Sequence, residues 1–329
     1  MNIGIIGPSS VVPQVELGLG IEKLCEAGMD IRLHPHCTKK EFLFSGSDRV
    51  RAESFFEFAR ADDLDILWCA RGGYGAGRIL SLLDKFTLLH GVPAKKLLVG
   101  FSDSTAVLEY VRARWGWSSL HAPMPATQGF QNLVGKDWKS LLSLIQGEKS
   151  EPSALSKKLK FLNPGKLVQG EIVGGNLAVM SSLVGTPHAL DTRDKILFIE
   201  ELSEAPHRID RMFQQLVQSG AIKKARAIVL GTFTDCDDTA PQVLVSRPKK
   251  WGKNMKFGPV RPQYSQLKVL TEIFGEVGKQ IGIPVAYGLN VGHGTGRSPL
   301  PLGAEYELAP DGKLSLIKWG WTSRKVSVK

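Results

Sequence analysis

Leu97-Leu98-Val99-Gly100-Phe101-Ser102-Asp103-Ser104 is a short apolar run that breaks at a glycine and enters a helix through a serine-rich turn. Consecutive apolar residues with no polar alternation mark a strand buried on both faces, as in a parallel sheet covered by helices. The same grammar recurs upstream. Residues 2–7 read as a strand, followed by a helix that keeps Leu17, Ile21 and Leu24 on one face and stops at Gly28. Residues 31–33 form a second strand, and a helix from near Ser47 carries Phe55, Phe56 and Phe58. Ile66-Leu67-Trp68-Cys69-Ala70 is another buried strand. It ends in Arg71-Gly72-Gly73-Tyr74-Gly75-Ala76-Gly77, after which Ile79, Leu80 and Leu83 open a helix. Residues 1–150 therefore read as an α/β domain built on a parallel sheet.

The pattern changes near residue 150. Residues 151–166 are polar, Lys-rich and punctuated by Pro and Gly, and read as a linker. Residues 167–329 read as a smaller β-rich α+β domain of mixed sheet type. Its strands fall at 167–173, 196–200 and 227–230, its helices at 177–184 and 209–218, and a hairpin closes around Pro310-Asp311-Gly312.

A chain of 329 residues with 43% hydrophobic and 22% charged content can bury two cores without metal or disulfide staples. The four cysteines (Cys25, Cys37, Cys69, Cys236) show no CxxC spacing, so neither a zinc site nor a disulfide framework is signalled, and a reducing cytoplasmic setting fits. No apolar run is long enough to span a membrane, and no basic segment with an apolar core opens the chain, so neither a membrane segment nor a signal peptide is expected. The net charge of +10 invites a nucleic-acid reading, yet much of the excess is local. Residues 246–261 hold Arg247, Lys249, Lys250, Lys253, Lys256 and Arg261 with no acid, interleaved with Trp251 and Phe257. This segment reads either as a loop near the cleft or a dimer contact, or as a solvated excursion. A non-catalytic nucleic-acid-binding module would explain the basic segment but leave the ordered glycine, serine, glutamate and histidine segments unexplained, whereas a non-catalytic scaffold would explain the fold without a catalytic set.

A serine at a sharp strand-to-helix turn can expose its hydroxyl above a sheet while the next amide, here that of Asp103, points at a developing oxyanion. The alternative is that Ser102 only caps the helix. A nucleophilic serine needs a base. Among seven histidines, His293, flanked by glycines in Gly292-His293-Gly294, and His121, close in chain to the turn, are the candidates. His34 and His36 read as surface residues or a weak metal pair, and His188 and His207 as turn residues. An acid must orient the base. Ile196-Leu197-Phe198-Ile199-Glu200-Glu201 is a buried strand ending in two carboxylates, of which alternation puts only one on a given face; an ordinary strand end reaching solvent is the alternative. The Gly72–Gly77 loop lacks the Lys-Ser/Thr of a phosphate-binding loop, since Arg78-Ile79 stands there, and reads as a tight loop whose amides face a substrate.

Together these segments resemble the LD-carboxypeptidase family of serine peptidases, which includes muropeptide LD-carboxypeptidases and microcin C self-immunity peptidases. The resemblance runs from Ile5-Ile6-Gly7-Pro8-Ser9-Ser10 through Ala70-Arg71-Gly72-Gly73-Tyr74-Gly75, Gly100-Phe101-Ser102-Asp103 and Gly174-Gly175-Asn176-Leu177. It continues through Ile199-Glu200-Glu201, Arg208-Ile209-Asp210-Arg211-Met212, Gly231-Thr232-Phe233-Thr234-Asp235-Cys236 and Gly292-His293-Gly294 to Leu300-Pro301-Leu302-Gly303. It implies a first domain like class I glutamine amidotransferases, a Ser102-Glu200-His293 triad and an oxyanion hole from the amides of Gly73 and Asp103. It also implies substrate contacts at Arg71, Tyr74 and Asn176, no metal or other cofactor, and a cytoplasmic homodimer. The implied reaction is release of the terminal D-alanine from murein tetrapeptides in peptidoglycan recycling. The compact span from Ser102 to Glu200 favours that branch over the microcin type, which acts on a peptide-nucleotide.

Overall fold

The computed structural model describes residues 1–148, 151–237, 264–294 and 297–323. The basic 246–261 segment lies outside the described residues. The strands are β1 (Asn2–Ile6), β2 (Asp30–Leu33), β3 (Ile66–Cys69), β4 (Leu97–Gly100), β5 (Ser118–His121), β6 (Lys160–Asn163), β7 (Val168–Asn176), β8 (Ile196–Leu202), β9 (Ala227–Thr234), β10 (Val285–Tyr287), β11 (Leu300–Leu302), β12 (Glu305–Leu308) and β13 (Leu314–Lys318). They build a six-stranded sheet in the order β11-β5-β4-β3-β1-β2 and a seven-stranded sheet in the order β13-β12-β7-β8-β9-β10-β6. The α/β class with a mixed second sheet is as the sequence implies.

In the first sheet β1 to β5 are all parallel. The chain leaves β1 for one edge and returns on its other side as β3, so the strand order reverses between β1 and β3. Loops at the carboxyl ends of the strands diverge at such a point and leave a crevice. Here they are the Gly7 to Ser10 turn, the Arg71 to Gly77 loop and the Ser102 turn. Helices Asp48–Arg60, Leu80–His90 and Thr105–Trp115 cover one face of this sheet. Helices Gln14–Glu26 and Gly135–Ile145 cover the other, through Leu17, Leu24, Leu141 and Leu144.

Strands β6, β10 and β11 fall where the sequence reading places none. β6 lies inside the polar 151–166 stretch and pairs antiparallel with β10. β11, from the end of the chain, pairs antiparallel with β5 in the first sheet and covers an edge that would otherwise be open. Both pairings are long-range, which local composition cannot encode.

The halves are fused rather than merely adjacent. One apolar core runs from Val107 and Val111 of the Thr105–Trp115 helix to Phe198, Tyr306 and Leu314 of the second sheet. On β8 the alternation is clean: Ile196 and Phe198 join this shared core, while Leu197 and Ile199 face the second half's own helices. Hydrogen bonds stitch the end of β7 to the same helix. Gly174 N donates to Glu109 Oε1 at 2.9 Å and Asn176 N to Thr105 Oγ1 at 3.1 Å, while Arg112 pairs with Glu109 at 2.8 Å. Gly175, at φ 152°, must be glycine, because a Cβ there would lie 2.6 Å from Thr105 Oγ1.

Removing the Glu109 carboxylate strands the buried Gly174 amide and leaves the Arg112 guanidinium only its longer pairing with Glu171, at 3.8 Å. Glu109→Ala is expected to destabilise the protein by about 3 kcal/mol in urea unfolding; a loss below about 0.5 kcal/mol would show that this seam is unimportant.

Candidate active site

β4 ends at Gly100, where the chain turns so tightly that a Cβ would meet Ser104 Cβ at 3.0 Å and the Cys69 side chain at 3.3 Å. Phe101 is extended, and Ser102 then adopts φ 61°, in the left-handed region that a non-glycine residue occupies only when its surroundings enforce it. Ser102 heads a short 3-10 turn, Ser102–Ser104, that runs into the Thr105–Trp115 helix. The N-cap positions of these two elements are held by Phe101 and Ser104, so Ser102 is not the cap residue of either. Gly72 approaches it closely; a Cβ on Gly72 would lie 2.9 Å from Ser102 Cβ.

The loop carrying Gly72 and Gly73 is held from behind. Ser10 N donates to Gly72 O at 3.3 Å, and Ser10 Oγ accepts from Tyr74 N at 3.0 Å. Gly73 sits at φ 103°, and a Cβ there would be 2.5 Å from Ser10 Oγ, so both its conformation and its packing require glycine. Asp103 Oδ2 accepts from Ala76 N at 2.8 Å. Burial pushes the Asp103 carboxyl above its usual range, against the lowering effect of the Ala76 amide, of the neighbouring polar groups of Ser9 and Gly75 and of the Arg51 charge. The buried Arg51 guanidinium donates to Gly75 O at 2.8 Å and to Pro8 O, and pairs with Asp48. Asp103 thus anchors the glycine loop with its side chain, while its amide lies at the start of the helix. Neither that anchoring nor the role of Arg51 follows from the sequence pattern. The serines after β1 were the available signal.

Glu200 and His293 meet across the second sheet. His293 Nδ1 lies 2.6 Å from Glu200 Oε2, with the glutamate fully buried and the imidazole nearly so. Gly292 makes this approach feasible, since a Cβ there would fall 2.9 Å from Glu200 Oε2 and 2.4 Å from Thr232 Oγ1. The hydroxyls of Thr232 and Thr234 both donate to His293 O at 3.0 Å and fix the turn. Burial works to raise the Glu200 pKa, but the charge of His293 and its hydrogen bond win and leave it below the usual carboxylate value. Burial likewise works to lower the His293 pKa, and Glu200 outweighs it, leaving the imidazole more basic than an ordinary histidine. On the nucleophile side, the Phe101 ring packs against the His293 ring with centroids 4.8 Å apart.

Both carboxylates of the pair are buried, Glu200 at 0% and Glu201 at 2% exposure, so neither is a strand end reaching solvent. They serve different faces. Glu201 accepts from Asn176 Nδ2 at 2.9 Å, from Ala178 N at 2.8 Å and from Leu202 N at 2.8 Å. Asn176, expected among the substrate contacts, is itself buried. Its amide holds Glu201 and its oxygen caps the Leu177–Ser182 helix through Val179 N at 3.2 Å, so it orders the site from behind. Arg71 is half-buried and donates to Val11 O at 2.8 Å, and Tyr74 stands at the rim, 55% exposed.

His121 is 2% exposed, and burial drives its pKa down to about 4, so it is a neutral interior residue. His34 is buried, not on the surface: its Nε2 lies 3.2 Å from Glu57 and its Nδ1 accepts from His36 N. His207 lies in the first turn of the Pro206–Gln218 helix rather than in a turn. No group of histidines, cysteines and acids able to hold a metal occurs among the described residues.

The arrangement offers an exposed-type serine turn, a basic imidazole oriented by a buried carboxylate, and two backbone amides at a glycine loop and a helix start. That set can support nucleophilic acyl transfer. Residues 3–122 match the model of the LD-carboxypeptidase N-terminal domain, and residues 169–308 that of the LD-carboxypeptidase C-terminal domain. A probable murein peptide carboxypeptidase of Bacillus subtilis is 30% identical over 97% of this chain and 92% of its own length. The microcin C7 self-immunity protein MccF of Escherichia coli is 26% identical over 93% of this chain and 89% of its own. The crystal structure of muramoyltetrapeptide carboxypeptidase from Oxalobacter formigenes superposes with a TM-score of 0.76 at 27% identity, covering 97% of this chain and 99% of that one. With both halves matched in order, the chain belongs to the LD-carboxypeptidase family.

Proposed function

We propose that this protein is a serine-type LD-carboxypeptidase that releases the terminal D-alanine from murein tetrapeptides. The observation that carries the mechanism is the buried 2.6 Å contact between Glu200 and His293, with the His293 ring packed beside the strained turn that presents Ser102. Ser102 Oγ attacks the carbonyl of the L,D-bond while His293 Nε2 takes its proton. Glu200 keeps Nδ1 protonated and offsets the imidazolium charge. The amides of Gly73 and Asp103 stabilise the oxyanion, each contributing about 3 kcal/mol in comparable sites. His293 returns the proton to the leaving D-alanine, and water hydrolyses the acyl-enzyme by the same route.

Murein as substrate is supported by the names of the relatives from Bacillus subtilis and Oxalobacter formigenes. Arg71 and Tyr74, at the mouth of the glycine loop, are the proposed substrate contacts. The net charge of +10 suits a substrate with several carboxylates. The same reading makes the protein a cytoplasmic homodimer of peptidoglycan recycling; among the described residues no helix is long and apolar enough to cross a membrane.

Incubation with murein tetrapeptide, followed by mass spectrometry, is expected to give tripeptide and free D-alanine. Intact tetrapeptide alongside cleavage of a peptide-nucleotide would move the protein to the microcin type. Ser102→Ala and His293→Ala are each expected to lower kcat by about 10⁴-fold, with no further loss in the double variant. Near-parent turnover in either would remove that residue from the mechanism.

The pH dependence follows from the pair. The base must be neutral to accept a proton, and its pKa lies above the ordinary 6.5. The acid limb of kcat/KM is therefore expected to have its midpoint above pH 6.5, with activity lost as pH falls through it. Glu200 stays ionised throughout that window, because its own pKa is depressed. Glu200→Gln removes the charge that raises the histidine, so its residual activity should show a limb shifted to lower pH. An unshifted limb would separate Glu200 from the base.

A further inference from the structure

His121 is a buried titratable group that the mechanism above leaves unused. It ends β5, directly opposite Gly100 of the nucleophile's strand, and Ala122 N bonds to Gly100 O at 3.0 Å. Its ring meets Phe198 edge-on at 5.3 Å and Phe101 at 5.6 Å. Phe198 and Glu200 are two residues apart on β8 and so share a face, while Phe101 also packs on His293. His121 therefore lies beneath the site, among the residues that shape it. Its Nε2 and Oε1 of Glu200 are both buried, and neither has a hydrogen-bond partner among the described residues. Buried polar atoms are seldom left unpaired, and these two belong to residues close enough to interact electrostatically.

We propose that His121 is a positioning residue, whose Nε2 holds the Oε1 oxygen of Glu200 through one ordered water. Water satisfies both atoms in either tautomer of the ring, since it can donate twice or accept once and donate once. Glu200 acts electrostatically on His121, yet burial keeps the ring neutral. A neutral ring adds no charge to compete with His293 for the carboxylate. With Oε1 held, the carboxylate plane cannot rotate away from His293 Nδ1. The contact also ties the acid of the second sheet to β5, the strand paired with the one that carries the nucleophile. This proposal rests on the reading of Ser102, Glu200 and His293 as the catalytic set.

The test compares His121→Leu, which keeps bulk without polarity, with His121→Gln, whose amide can still reach the same water. Two readouts are taken: kcat and KM on tetrapeptide, and the rate at which a fluorophosphonate labels Ser102. His121→Leu is expected to lower kcat and the labelling rate about 10- to 100-fold with KM changed less than about twofold, and His121→Gln is expected to restore most of both. Parent-like rates in the Leu variant, or equal losses in Leu and Gln, would overturn the proposal. If the parent is labelled but leaves tetrapeptide intact, the substrate reading fails while the labelling rates still decide the role of His121. A high-resolution crystal structure of the parent covers the case in which the Leu variant does not fold. It should show a water within hydrogen-bond distance of both atoms, and direct solvent or another side chain on Oε1 would contradict the proposal.

Discussion

The interaction on which the rest depends is the contact between Glu200 and His293. A carboxylate with no solvent exposure is costly unless its charge is met, and here an imidazole meets it at 2.6 Å. The two groups shift each other in opposite directions, the acid downward and the base upward, so the pair favours an ionised glutamate beside a proton-seeking histidine. Much of the surrounding backbone serves this contact. Gly292 is bare so that the histidine can approach, two threonine hydroxyls hold its carbonyl, and Glu201 is turned away to the opposite face by its own set of donors.

The second constraint is that the pair and the serine come from different halves of the chain. The shared apolar core, the Glu109 and Thr105 bonds to the end of β7, and the pairing of β11 with β5 fix one half against the other. The helix that receives these bonds begins immediately after the Ser102 turn. The strain at Ser102 and the placement of Glu200 are thus anchored to the same helix, which is how two sheets can hold groups in one register.

Much of this was legible in the sequence because it is encoded locally. Leu97 to Gly100 and Ile66 to Cys69 are buried strands by composition alone, and the serine turn, the paired glutamates and the glycine-flanked histidine stand out against their neighbours. Family resemblance then selected Glu200 over Glu201 and His293 over His121, a choice that local pattern left open. What the sequence hid is long-range. Whether a polar residue such as His34 is buried, what Arg51 and the Asp103 side chain hold, and the pairing of β6 and β11 all depend on partners distant in the chain. Asn176 illustrates the limit: its place in a motif suggested substrate, whereas its burial and its bonds to Glu201 and Val179 assign it to the support of the site.

The central claim is that Ser102 is an activated nucleophile whose reactivity depends on His293. Peptide mapping by mass spectrometry after fluorophosphonate treatment tests it most directly. The account predicts a single adduct on Ser102 in the parent and none in His293→Ala at the same exposure. An adduct on another serine, or undiminished labelling of Ser102 without the histidine, would contradict it.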